Sequence, residues 1–379
     1  MKYGKLTQTA WMRSVRRQLH IEEKERVFPP TPFEACSGLL CGRKGFVWAD
    51  AHASGTSVQT GYYAVLKAAG ELAAKGTAPE GVSVRILFPP MSEEKELKAV
   101  TNGIVAACDR LGLTVNSFQG ETTCAAAGIT VFVTAVALSP GVSGQTEDND
   151  DQKNGGGQEL LLCGYAGLEG TLRIIDEAEE ELGTRFVSAF LAQAKGLSKD
   201  LVTPAQLLAL QGTAGTYSKA AHGGAAQPGD TASCIGAGHH IEKAPDITAV
   251  RQITGGGILA ALWELAETMG IGFEIDMSAI SLKQETVEIC EFYRLNPYQL
   301  TSAGSFLIVT SDAMEVIRIL EQVGARAIRL GVTKPQNARV ITSGEEVRYL
   351  DRPAPDELES WLAGRIKASG SAAGQDKHR

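Results

Sequence analysis

The sequence predicts a mixed α+β protein built from two domains, and three observations carry that expectation. First, apolar residues from Gly45 onward switch between strand-like runs and helical stripes. Second, the first half runs strand, helix, strand, helix, strand, strand. That order favours a mixed sheet over a doubly wound parallel one. Third, a second series of strands and helices follows a polar, acidic, glycine-rich break, "SPGVSGQTEDNDDQKNGGGQ" (Ser139 to Gln158). A chain of 379 residues is long enough for two cores. The expected division is a first domain over 1–140, a linker over 141–158, a second domain over 159–366 and a frayed tail over 367–379.

Each element has its own signal. Gly45 to Asp50 reads as a short strand. Tyr62, Val65, Leu66, Ala69 and Leu72 form a helical stripe. Val82 to Phe88 is a strand, stopped by Pro89-Pro90. Ser92 can cap the next helix, whose core face is Leu97, Val100, Ile104 and Leu111. Leu113 to Phe118 and Gly128 to Leu138 are two strands with no helix between them. The second half opens with the strand Glu159 to Cys163. A helix starts near Thr171, with Leu172, Ile175 and Leu182 on one face. Later come the strand Ser305 to Thr310, a helix on Val316, Ile317, Leu320 and Val323, and the strand Ala327 to Val332. His222 to Asp246 reads as a long loop.

Composition narrows the function. The formal net charge is −8, which disfavours nucleic acid as a partner because phosphate contacts need clustered cations. Arg13, Arg16 and Arg17 are the nearest thing to such a cluster. They accompany Trp11, Val15 and Leu19 at helical spacing, as the solvated face of a docking helix. The seven cysteines, Cys36, Cys41, Cys108, Cys124, Cys163, Cys234 and Cys290, include no Cys-x-x-Cys pair. Scattered thiols fit a reducing, cytoplasmic setting. The N-terminus has no apolar signal region. The longest apolar run, Ile129 to Leu138, is too short to cross a bilayer, so no membrane partner is expected.

Two glycine-rich turns stand before helices. Gly255, Gly256 and Gly257 precede Ile258, Leu259, Leu262, Leu265 and Met269, a core-facing stripe with Glu264 and Glu267 on the other side. Thr254 can cap that helix. Its free N–H groups suit an anion. The same glycines also suit close packing of the helix start, and spacing alone leaves both readings open. No Gly-Lys-Ser or Gly-Lys-Thr follows, so this is not a P-loop. Gly164, Gly167 and Gly170 form a glycine-rich turn without the dinucleotide fingerprint. Glu34, Asp50, Glu71 and Glu121 lie at element edges beside small residues. Singly, each reads as a solvated acid. Together they could hold a hard cation. His239 and His240 are adjacent and point opposite ways on an extended chain, which argues against a shared metal.

Read together, these stretches resemble the aminoimidazole-ribonucleotide (AIR) synthetase superfamily, and within it the hydrogenase-maturation branch. The resemblance runs from Gly4 to about Leu350. It rests on "YGKL" (Tyr3 to Leu6), "AGELAAKGTAPEGVSVRILFPP" (Ala69 to Pro90), "QGETT" (Gln119 to Thr123) and "LLCGYAGLEGT". "VRQITGGGILAALWELA" and "EICEFYRLNPYQLTSAGSFLIV" (Glu288 to Val309) complete it. It implies a two-domain AIR synthetase-like α+β architecture, with an N-terminal mixed sheet for nucleotide binding and dimerisation. It also implies a homodimer whose N-terminal sheets join into a barrel, with ATP in a cleft and Mg2+ held by acids. The implied chemistry is phosphoryl transfer to an amide-like oxygen of a small molecule or protein-borne acceptor. Carried over by position, Glu34, Asp50, Glu71 and Glu121 become metal ligands, and Thr254, Gly256, Gly257, Gly120 and Thr122 become nucleotide contacts.

The departures matter as much. Glu34, Glu71 and Glu121 stand where the family has Asp, one methylene longer. Gly70 replaces an Asn, Gln252 an Asp and Gly255 an Arg. The chain also ends without the C-terminal cysteine of the hydrogenase-maturation branch. A catalytically degenerate paralogue, acting as a nucleotide-binding or regulatory dimer, is therefore the alternative. A zinc- or nickel-binding accessory protein using His222, His239 and His240 is the third.

Overall fold

A computed structural model describes residues 5–19, 31–41, 44–139, 156–211 and 244–365. Most of the acidic linker, the loop from His222 to residue 243 and the tail lie outside the described residues. His222, His239, His240 and Cys234 fall there too.

The first half builds a five-stranded mixed sheet. Its strands are β1 (Cys36–Cys41), β2 (Lys44–Gly55), β3 (Gly81–Phe88), β4 (Thr114–Thr122) and β5 (Ile129–Ser139), in the order β1-β2-β5-β3-β4. Only β3 and β4 run parallel. Alternation sets the faces. Val47, Ala49 and Ala53 of β2 point inward with Val131, Val133 and Ala135 of β5 and Val82, Val84 and Ile86 of β3. The outward face carries Leu39, Phe46, Phe132 and Leu138, all exposed.

Helices cover the inner face. A short turn, α1 (Gln8–Trp11), continues as one π turn over Met12–Arg16 and meets the second half instead, where Gln8 donates to Glu267 at 2.9 Å. Next are α2 (Thr60–Ala74) and α3 (Glu94–Leu111). The cap of α3 lies one residue past the expected Ser92. Glu93 and Glu96 form a reciprocal capping box, and Gly112 ends the helix in the left-handed region. Nearly every residue of α2 is buried, because the second half packs on the face that the sheet leaves free.

The second half adds a seven-stranded sheet. Its strands are β6 (Glu159–Cys163), β7 (Ile247–Gln252), β8 (Gly272–Asp276), β9 (Phe306–Thr310), β10 (Ala327–Lys334), β11 (Arg339–Ser343) and β12 (Glu346–Tyr349). The order is β12-β11-β8-β10-β6-β9-β7. Its helices are α4 (Leu168–Leu182), α5 (Ser188–Gly196), α6 (Pro204–Leu208), α7 (Gly257–Met269), α8 (Gln284–Tyr293), α9 (Ala313–Gln322) and α10 (357–365). Strands β6 and β9 are apolar throughout because both faces are covered. Leu161 and Ile308 pack toward α9, while Leu160 and Leu307 pack toward α7.

Some elements differ from expectation. Strand β2 extends past Asp50 to Gly55, hidden in the sequence by small and polar residues. Helix α4 begins three residues before Thr171, because Gly167 turns into it with φ 70°. Glu264 of α7 is 4% exposed rather than solvated, since Lys5 and Arg251 cover it. Arg13, Arg16 and Arg17 are exposed as expected, but Leu19 is exposed with them.

One buried ion cluster fastens the two halves. The Glu169 carboxylate on α4 is 0% exposed and lies 3.3 Å from both Lys67 of α2 and Arg173 of α4. It also accepts from Thr301 Oγ1 (2.6 Å) and the Ala303 N–H (3.2 Å). Arg173 in turn donates to the Ser54 carbonyl of β2 at 2.7 Å. Burial works to raise the Glu169 pKa, but Lys67 and Arg173 prevail and hold it below the ordinary value of 4.5. Removing one partner of such a cluster strands the others in low dielectric. Glu169→Gln is therefore expected to lower stability at neutral pH by about 3–5 kcal/mol in urea unfolding. A depressed pKa gives stability that is present above the unfolded value and lost as pH falls through the folded one. The gap between wild type and variant should narrow below pH 4.5. A gap that is small at pH 7, or independent of pH, would refute the cluster's role.

Candidate functional site

A cavity of about 440 Å³ opens where the two halves meet. The chain reaching β1 brings Glu34 to it, β2 brings Asp50 and His52, and α2 brings Lys67 and Glu71. From the second half come Arg173, Arg251, Thr254, Gly255 and Thr301. Asp356 and Glu359 arrive from the start of α10, and Lys5 from the N-terminal segment. Opposite charges thus alternate around one space. Lys67 and Glu71 are four apart on α2, which sets them on the same helix face.

Several charges already have partners. Glu34 accepts from Lys75 Nζ at 2.7 Å and from the Cys36 N–H at 2.9 Å. Asp50 accepts from Thr134 Oγ1 at 2.5 Å. Arg251 pairs with Glu264 and donates to the Phe33 carbonyl at 3.0 Å. Lys5 reaches the same Glu264 at 3.1 Å. Burial raises the Glu71 pKa against the opposing pull of Arg251 and Lys5. The buried thiol of Cys36 is held far above its ordinary range, chiefly by desolvation and then by Glu71 and Glu34, so it is not a nucleophile here.

The carried-over residues separate into two groups. Glu34, Asp50, Glu71 and Thr254 line the cavity. Gly256, Gly257, Glu121, Gly120 and Thr122 do not. The last three lie on β4, which is exposed along its length, and Glu121 pairs with Arg85 at 2.7 Å. Asp50 and Glu121 are three strands apart and offset by four residues along the sheet, roughly 19 Å at ordinary strand spacing and rise. Among the described residues, no group of three or more His, Cys, Asp or Glu side chains is placed to hold a metal. With Glu34 taken by an ammonium and Glu121 remote, these acids do not fit a magnesium site, which demands near-octahedral oxygen ligation.

The glycine turn before α7 has both properties that the sequence left open. Gly256 and Gly257 have φ of 88° and 67°. A Cβ on Gly257 would lie 2.4 Å from the Tyr298 carbonyl oxygen, so glycine is required there for packing. Gly255 borders the cavity, and a Cβ on it would meet nothing nearer than 3.9 Å. The N–H of Gly256 donates to the Asp356 carboxylate at 2.6 Å.

Two of the departures prove to be coupled. Gln252 is 2% exposed and donates to the Lys67 carbonyl at 2.9 Å. A Cβ on Gly70 would lie 2.0 Å from its Oε1. Thus Gly70 vacates the space on α2 that the longer Gln252 side chain enters from β7. That arrangement leaves the Gln252 Oε1 buried without a hydrogen-bond partner.

Sequence reasoning missed Lys67, Arg173 and Asp356. Lys67 carried the clearest signal, as a single cation inside the apolar stretch "YAVLKAAGELAA".

Comparisons with known proteins agree with the fold. The description "AIR synthase related protein, N-terminal domain" matches residues 44–139, and "AIR synthase related protein, C-terminal domain" matches 214–343. Carbamoyl dehydratase HypE of Rhodobacter capsulatus is 34% identical over 120 residues, which is 30% of this chain and 35% of that protein. The chain thus matches about a third of that relative's length. Among solved structures, a HypE–HypF complex aligns at TM-score 0.61 and 13% identity, covering 91% of this chain and 100% of the other. HypE in complex with ATP aligns at TM-score 0.57 and 16% identity, covering 84% and 88%. At such identities the likeness is one of fold. The chain belongs to the AIR synthase related family, on its HypE-like branch.

Proposed function

We propose that the cavity binds ATP and that the protein transfers its terminal phosphoryl group to an amide-like oxygen or small acceptor. The observation that carries this reading is the placement of four cations, Lys5, Lys67, Arg173 and Arg251, around one cavity at the glycine turn before α7. The ATP complex of the similarly folded HypE supports it. In phosphoryl transfer the acceptor oxygen attacks the γ-phosphorus as the bond to the β–γ bridging oxygen breaks. The protein's contribution is positioning and neutralisation of the phosphate oxygens. Here that neutralisation falls to the lysine and arginine side chains, and no step needs a metal held by the protomer's acids. Thr254 and the backbone at Gly255 border the same space and would orient the phosphates.

A second reading, a nucleotide-binding regulatory dimer without turnover, is favoured by the Glu34–Lys75 pair and by Gln252 and Gly255. These leave no free charged group at three positions that are charged in the family. Both readings include a homodimer formed through the outward face of the first sheet. Leu39, Phe46, Phe132 and Leu138 give that face a group of exposed apolar side chains.

Calorimetry with ATP should show saturable binding in magnesium and, more weakly, in EDTA. Binding abolished by EDTA would restore the metal to the site. No binding at millimolar ATP would end both readings, and binding without phosphate release would select the regulatory one. Lys5→Ala should weaken ATP binding roughly tenfold, the value of one charge-assisted hydrogen bond, with little loss of stability because Glu264 keeps Arg251. Light scattering should report a dimer, and Phe132→Asp a monomer. A wild-type monomer at micromolar concentration would refute the interface.

A further inference from the structure

Three side chains of α4 hold the connection between β2 and α2. Arg173 donates to the Ser54 carbonyl at 2.7 Å. One turn later, Asp176 accepts from the Tyr63 hydroxyl of α2 at 2.9 Å. Beside it, Glu177 accepts from the Thr56 N–H at 2.8 Å and from the Ser57 N–H at 2.9 Å. Asp176 and Glu177 follow Arg173 by three and four residues, so all three share one helix face. The fit is close. A Cβ on Gly55 would lie 2.0 Å from the Glu177 Oε1. This face is a joint between the two halves of the chain, apart from the Glu169 cluster.

The three grips differ in how their charge is met. Arg173 has the Glu169 carboxylate. Glu177 has two backbone N–H groups and the Thr56 hydroxyl. Asp176 meets the neutral phenol of Tyr63, which is itself buried. Glu177 and Glu179 stand close to Asp176 with the same charge. Lys195 of α5 faces it, but Lys195 is engaged by Glu179 at 2.6 Å. The backbone of α4 also leaves helical values at Ala178 (φ −139°, ψ 30°), just past this pair. A helix end of that polarity disfavours negative charge. Burial, then Glu177 and Glu179, outweigh Tyr63 and Lys195 and push the Asp176 carboxyl up to about 6.

We propose that Asp176 makes the joint between the two halves responsive to pH: protonated, it lets α4 close on α2, and ionised, it repels Glu177 at the same contact and loosens α4 from the β2–α2 connection. Arg173, on the same face, lines the cavity, so the change reaches the cavity wall. The inference stands whether or not ATP is the ligand. A carboxyl raised in the folded chain from 3.8 to about 6 contributes stability that is complete below pH 3.8 and lost as pH rises through 6.

Urea unfolding of the full chain and of Asp176→Asn, from pH 5 to 7.5, tests this. Asparagine keeps an acceptor for Tyr63 and carries no charge. The ratio of the wild-type to the variant unfolding constant should rise about tenfold across that range. A ratio that does not change with pH would overturn the proposal. Hydrogen exchange, corrected for its intrinsic pH dependence, places the effect. Protection of the peptide carrying the Thr56 and Ser57 amides should fall as pH rises in the wild type and stay level in the variant. Equal responses would overturn the proposal. Tyr63→Phe serves if the asparagine variant folds poorly. It removes a hydroxyl that favours the ionised form, so the midpoint of the pH response should move upward. A midpoint that stays in place would count against Asp176 as the responding group.

Discussion

The Glu169 cluster is the constraint on which the rest depends. A fully buried carboxylate is tolerable only when cations and hydrogen bonds surround it. Here its partners come from both halves of the chain: Lys67 from the first, and Arg173, Thr301 and Ala303 from the second. Satisfying one charge therefore fixes α2 against α4 and against the chain entering β9. That fixed approach makes α2 a helix buried nearly all round, and it leaves the cavity beside Lys67 and Glu71. The same geometry brings Lys67 and Arg173 to the cavity wall, so the groups that hold the halves together also set its electrostatics.

Much of the fold was legible because burial leaves periodic traces. Strands β3 and β5 alternate, β6 and β9 are continuous apolar runs, and the stripe of α7 is helical. Strand β12 left no trace because all four residues are exposed. Strand β2 was cut short because its second half, "AHASG", packs small residues against α2. The error at Glu264 has the same origin. Helical spacing put it on the polar side, but periodicity cannot show that a segment more than 250 residues away will cover that side.

The site was legible only in part. Glu34, Asp50, Glu71 and Thr254 were chosen by resemblance, and the fold gathers them at one cavity. Resemblance also brought in Glu121, Gly120 and Thr122, which stand on the far edge of the sheet. What no linear motif could show is the pairing state. Glu34 was read as a free acid, yet it is bound to Lys75. Gly70 and Gln252 read as two separate losses, yet they form one exchange of volume between a helix and a strand. Charge and size at a site are properties of neighbours in space, and these pairs lie 41 and 182 residues apart along the chain.

Strand β4 has a consequence beyond the cavity. It is exposed at every position and stands at the end of its sheet, so among the described residues no further strand pairs with its outer edge. A row of unmet N–H and C=O groups is a template for any extended segment that meets it. The Arg85–Glu121 pair places charge beside this row, a common guard against such pairing. At high concentration the fate of the chain depends on how well that guard works. Replacing these two surface charges with apolar residues would alter no buried contact, yet it would move the protein towards fibrous precipitation.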